Sequence, residues 1–130
     1  MDFTIEPGIT FNLEKIVEPA DSAAVYGSGT VDVFSTPAMI AFMERAALES
    51  VQKYLPEGYT TVGTEINVKH LKATLVGTRV TCQSKLTAVE GWKLIFEVTA
   101  SDSKGEIGSG NHTRFIVEKK RFLEKLGQSF

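Results

Sequence analysis

Between Thr36 and Leu55 the chain carries apolar side chains around most of a helical circumference. Met39, Ile40, Phe42, Met43, Ala46, Ala47, Leu48, Val51, Tyr54 and Leu55 sweep one wide arc, which leaves Arg45, Glu49, Gln52 and Lys53 for the remainder. Such a helix has to be almost enclosed by protein. Thr36-Pro37 predicts its start, with threonine as N-cap and proline at the first helical position, and Pro56 lies just beyond its end.

After Gly58 the apolar period changes from helical spacing to two. Val62, Thr64, Ile66, Val68 and His70 are expected on one face of a strand, and Val80, Cys82, Leu86 and Ala88 on the inner face of the next. Glu90-Gly91 reads as a two-residue hairpin turn, after which Trp92, Leu94, Phe96, Val98 and Ala100 alternate with Lys93, Glu97 and Thr99. Ser103-Lys104-Gly105 supplies another turn before a last strand over 106 to 118 and a short charged helix over 119 to 126. Residues 9 to 17 resemble a first strand, and 20 to 30, around Gly27-Ser28-Gly29, read as a loop or lid. One enclosed helix followed by a meander of long strands implies an α+β fold whose antiparallel sheet wraps the helix, which fits the hotdog fold.

At 130 residues the chain suits one domain, 1–130, with no internal repeat or linker. A net charge of -2 makes nucleic acid an unexpected partner. The single cysteine, Cys82, has no disulfide partner in the chain, no Cys/His cluster has zinc spacing, and no metal or cofactor is expected. The first residues lack the basic and apolar regions of a secretory signal, and no stretch is long enough to span a bilayer. The expectation is a cytoplasmic protein with no membrane partner.

Three residues break the apolar pattern. Glu44 falls on the helical wheel among Ile40, Leu48, Val51 and Leu55, where an unpaired carboxylate is costly. It is therefore either a structural glutamate paired across the fold or a functional group. His70 shares its expected face with Ile66 and Val68 and reads either as a satisfied core histidine or as a proton-transfer group suited to neutral pH. Thr36 reads as an ordinary N-cap or as a hydroxyl held where a helix N-terminus favours an oxyanion. His112, beside Gly108 and Gly110, is a weaker candidate. Lys69, Lys72, Arg79, Lys93 and Arg114 could supply positive charge for a phosphate, though scattered bases are usually solvated surface.

Val33-Phe34-Ser35-Thr36 followed by Met43-Glu44-Arg45-Ala46, then Val62-Gly63-Thr64 leading to Val68-Lys69-His70, then Val89-Glu90-Gly91 and Glu106-Ile107-Gly108-Ser109-Gly110-Asn111-His112-Thr113-Arg114, resemble in order and spacing the fluoroacetyl-CoA thioesterase-like branch of the hotdog superfamily. The resemblance spans about 31 to 117. It implies an acyl-CoA thioesterase with a catalytic Thr36, Glu44 and His70 and an active site at the interface of a homodimer; Gly63 and Arg114 are expected substrate contacts, and the edge strands are also compatible with a tetramer. The resemblance departs at Tyr26-Gly27-Ser28-Gly29-Thr30, where the fluoroacetyl-CoA-specific member has shielding aromatics. A broader short-chain or aryl acyl-CoA is expected instead. Glu44 would either attack the thioester directly or activate water. The rival readings are a noncatalytic acyl-CoA-binding hotdog protein, and a hydratase, for which no Asp or Asn paired with His on a helix stands out.

Overall fold

In the computed structural model, which describes residues 3–127, five antiparallel strands curl around one long helix. The strands are β1 (Thr10–Ile16), β2 (Tyr59–His70), β3 (Arg79–Glu90), β4 (Lys93–Asp102) and β5 (Gly105–Glu118), and they lie in the order β1-β3-β4-β5-β2. The helix α2 (Thr36–Gln52) crosses the concave face, and a short α3 (Lys119–Lys125) follows β5. This is the hotdog arrangement expected from the sequence. No described helix is long and apolar enough to cross a membrane.

The apolar arc explains the packing. Met39, Met43, Ala46, Ala47 and Val51 of α2 are fully buried against Val80, Cys82, Leu86, Phe96, Val98 and Ile107 of the sheet. Small residues on the helix let the sheet approach closely. Gly108 serves the same end, because an added Cβ there would stand 2.6 Å from Met39 Sδ. Burial also pushes the Cys82 thiol up to about 12, which removes it as a nucleophile at neutral pH.

Four expectations need correction. The stretch from 20 to 30 is not simply a loop: a 3₁₀ turn (Pro19–Asp21) leads into α1 (Ala23–Tyr26), capped by Ser22 and closed by Gly27 at φ 75°. Alternation through β2 is interrupted, because pairing with β5 shifts between Gly63 and Glu65 and leaves Thr64 as an extra bulged residue. Val62 pairs with the exposed Phe115 on the outer face, while Ile66 pairs with His112 on the inner one. A second shift between Leu86 and Ala88 turns Val89 inward in place of Ala88. The β3–β4 turn is one residue later than expected: Glu90 and Lys93 pair, and Gly91-Trp92 makes the turn, with Gly91 at φ 67°.

Candidate active site

The start of α2 sets the first half of the site. Ser35, in extended conformation, is the N-cap, and its Oγ accepts from the Ala38 amide at 3.1 Å. Thr36 is therefore the first helical residue and not the cap, because serine already answers the free amide and Pro37 fits the second position as well as the first. The Thr36 hydroxyl is left free of the helix. It lies 2.8 Å from His70 Nδ1 at the end of β2. The other imidazole nitrogen, Nε2, is buried with no hydrogen-bond partner among the described residues. Burial lowers the His70 pKa, against a smaller upward effect of the Lys72 backbone, so the ring is neutral at pH 7. Thr36 and His70 line a depression with Ser28, Val33, Leu71 and Lys72.

The second half lies further along the same helix and strand. Glu44 is half-buried and lines a separate depression with Ala41, Leu48, Val62, Gly63 and Arg114. Gly63 is the last residue in register before the bulge. A Cβ on it would stand 3.0 Å from Glu44 Oε2, 3.1 Å from His112 Cε1 and 3.3 Å from Arg114 Nη1. Three polar side chains thus close on one glycine. Arg114 is only 6% exposed: its Nε donates to Thr61 Oγ1 at 2.7 Å, its Nη2 donates to the Thr61 carbonyl at 2.9 Å, and its Nη1 lies 3.1 Å from His112 Nε2. Desolvation lowers the Arg114 pKa and the Glu44 carboxylate opposes that shift, so the guanidinium is a buried cation facing a carboxylate.

Within one chain the two halves stand apart. Eight residues of helix separate Thr36 from Glu44, roughly 12 Å along the axis. Glu44 and the Thr36–His70 pair line different depressions. The other bases expected to meet a phosphate are mostly engaged: Lys72 lies 3.5 Å from Asp102, Arg79 3.2 Å from Glu14 and Lys93 3.9 Å from Glu90, while Lys69 is exposed on β2. Among the described residues no group of His, Cys, Asp and Glu is arranged to hold a metal ion.

A protein-family model described as fluoroacetyl-CoA-specific thioesterase matches residues 17–120. The chain belongs to this family. A fluoroacetyl-CoA thioesterase from Streptantibioticus cattleyicolor is 39% identical over 97 residues, covering 75% of this chain and 70% of the relative. Among solved structures, the fluoroacetyl-CoA thioesterase FlK superimposes with a TM-score of 0.89 at 32% identity, covering 98% of both chains. A thioesterase superfamily member from Thermus thermophilus gives 0.87 at 26% identity, covering 95% of this chain and 92% of the other. Of the expected site residues, the structure places Thr36 and His70 at one depression and Glu44, Gly63 and Arg114 at another; the sequence reading did not single out Thr61 and held His112 as a weaker candidate. The available signal was His112-x-Arg114: two polar residues at strand period sharing the inner face with Ile116.

Proposed function

We propose that the protein hydrolyses a small acyl-CoA thioester to the free acid and CoA at a site shared by two copies of the chain. Thr36 and His70 come from one copy, and Glu44, Gly63 and Arg114 from the other. The enzyme class, thioester hydrolase, comes with the family. The shared site rests on one observation, the separation of the two half-sites along α2 and β2.

The sheet offers a way to rejoin them. β2 is a twelve-residue edge strand, and a long unpaired edge is a liability unless another chain covers it. Half-buried Ile40, Leu48, Val62, Ile66 and Val68 flank that edge. Antiparallel pairing of two β2 strands about a twofold axis near Ile66 and Asn67 sets Gly63 of one copy against His70 of the other. Both helices then lie on one side of a continuous sheet, and Glu44 approaches the Thr36–His70 pair of the partner subunit. Two equivalent sites result.

In such a site the chemistry is hydrolytic. The carboxylate of Glu44 either adds to the carbonyl carbon, giving an anhydride that water opens, or takes a proton from the attacking water. In both routes the C–S bond breaks, CoA leaves as a thiolate that is protonated to the thiol, and the water oxygen completes the acid or regenerates Glu44. The Gly63 amide and the start of α2 hold the oxyanion, and the buried Arg114 guanidinium places a positive charge beside Glu44. Thr36 orients the neutral His70 ring so that Nε2 addresses the reacting group. The segment 26 to 30, Tyr-Gly-Ser-Gly-Thr, contributes only Ser28 to the lining of the Thr36–His70 depression, where Phe34 is the aromatic residue, and this suits short-chain or aryl acyl groups rather than fluoroacetyl selectivity.

Release of CoA from short-chain, branched and aryl acyl-CoAs tests this reading, with Glu44→Ala and His70→Ala alongside. Turnover in the wild type that falls ~10²–10⁴-fold in both folded variants supports it. Binding of acyl-CoA without any release would leave a binding protein.

A further inference from the structure

We propose that His112 is a positioning residue of this site, stapling the bulge that carries Gly63 to the guanidinium of Arg114. The proposal rests on the reading of Glu44, Gly63 and Arg114 as half of the active site.

His112 stands in β5, 1% exposed, with Phe96 of β4 tilted against its ring at 6.3 Å. Its Nδ1 lies 2.8 Å from the Glu65 carbonyl oxygen. A carbonyl only accepts, so Nδ1 carries the hydrogen. Its Nε2 lies 3.1 Å from Arg114 Nη1, and a guanidinium only donates, so Nε2 presents its lone pair. Together the two contacts select one neutral tautomer. Protonation would turn an N–H against the guanidinium and bury two cations side by side.

The groups facing the ring come from every neighbouring element: Glu44 from α2, the Glu65 carbonyl from β2, Phe96 from β4 and Arg114 from its own strand. Their arrangement forms a bridge over the bulge. On one side Arg114 holds Thr61 by its hydroxyl and its carbonyl, and on the other His112 holds Glu65, where pairing resumes. Gly63 lies between, where an added Cβ would meet His112 Cε1 at 3.1 Å and Arg114 Nη1 at 3.3 Å. A bulge leaves one residue outside the ladder and can shift locally. The staple ties Thr61, Gly63 and Glu65 into one frame and aims the buried cation at Glu44. His112 itself is too enclosed to meet a substrate.

The two contacts can be separated by substitution. His112→Asn can reach Glu65 but not Arg114, His112→Gln can reach Arg114 but not Glu65, and His112→Phe keeps the ring and loses both. We would measure kcat and KM per folded enzyme, and follow exchange of the Arg114 side-chain N–H protons by NMR. The staple predicts that His112→Phe lowers kcat ~10²-fold with KM within ~3-fold, that Asn and Gln each recover about tenfold, and that Arg114 loses its exchange protection in Phe. A folded His112→Phe enzyme with wild-type kcat, or with Arg114 as protected as before, would overturn it. A wild type that hydrolyses no acyl-CoA would instead sink the thioesterase reading, and the exchange measurement would still decide the staple.

Discussion

The two half-sites are built to different standards. The Glu44–Gly63–Arg114 half is held within one chain by buried hydrogen bonds: Arg114 uses all three guanidinium nitrogens, and His112 uses both ring nitrogens. The Thr36–His70 half has one hydrogen bond, an exposed threonine and a ring nitrogen with nothing to bond among the described residues. The first is locked into the fold, and the second is held by a single contact at the surface. A pre-aimed charge and a loosely held pair are what the proposed site, split across a twofold axis, would need.

Stability should show the difference most strongly. Arg114→Leu takes the guanidinium away from the Thr61 hydroxyl and from His112 Nε2 in a buried place and should cost ~2–4 kcal/mol in urea unfolding at fixed protein concentration. Thr36→Ala should cost within about 0.5 kcal/mol, since Ser35 and not Thr36 caps the helix. Equal losses at the two positions would erase the contrast.

Activity should separate the halves in a second way. Gly63→Ala forces Glu44, His112 or Arg114 to yield by a few tenths of an ångström and should lower kcat ~10–10²-fold in a folded protein. Thr36→Ala should lower it only about tenfold, with Thr36→Ser close to wild type because the hydroxyl remains for His70. A Thr36→Ser enzyme as impaired as Thr36→Ala would show that the methyl and not the hydroxyl matters.

The smallest effect is in pH. Burial lowers the pKa of both His70 and His112, so the unfolded chain binds their protons more readily than the folded one. The associated stability is complete above the ordinary histidine value of ~6.5 and is lost as pH falls through the lowered folded values. His112→Gln removes one of these groups, so its unfolding midpoint should decline less steeply than the wild type's between pH 7 and pH 5. Parallel declines would assign the acid sensitivity elsewhere.

Much of this was legible in the residues themselves. The enclosed helix and the strand meander follow from a change of period at Gly58, and Glu44 announced itself as a charge within an apolar arc. Three features were hidden by degeneracy. Ser35 and Thr36 are both good caps and Pro37 is tolerated at either early helical position, so only the backbone shows which hydroxyl is free. The bulge at Thr64 was masked because Val62, Thr64 and Ile66 satisfy strand alternation in either register, and a one-residue slip reverses faces. The staple joins Thr61, Glu65, His112 and Arg114 across two strands, a register that no local pattern reports.

Subunit complementation tests the central claim directly. Glu44→Gln and His70→Ala chains, each inactive alone, are unfolded together in equal amounts and refolded. If one site draws Glu44 from one chain and His70 from the other, half the dimers are mixed and each holds one intact site, so about a quarter of wild-type activity returns. If all of the residues act within one chain, the mixture stays at the level of the separate variants, and the shared site is wrong.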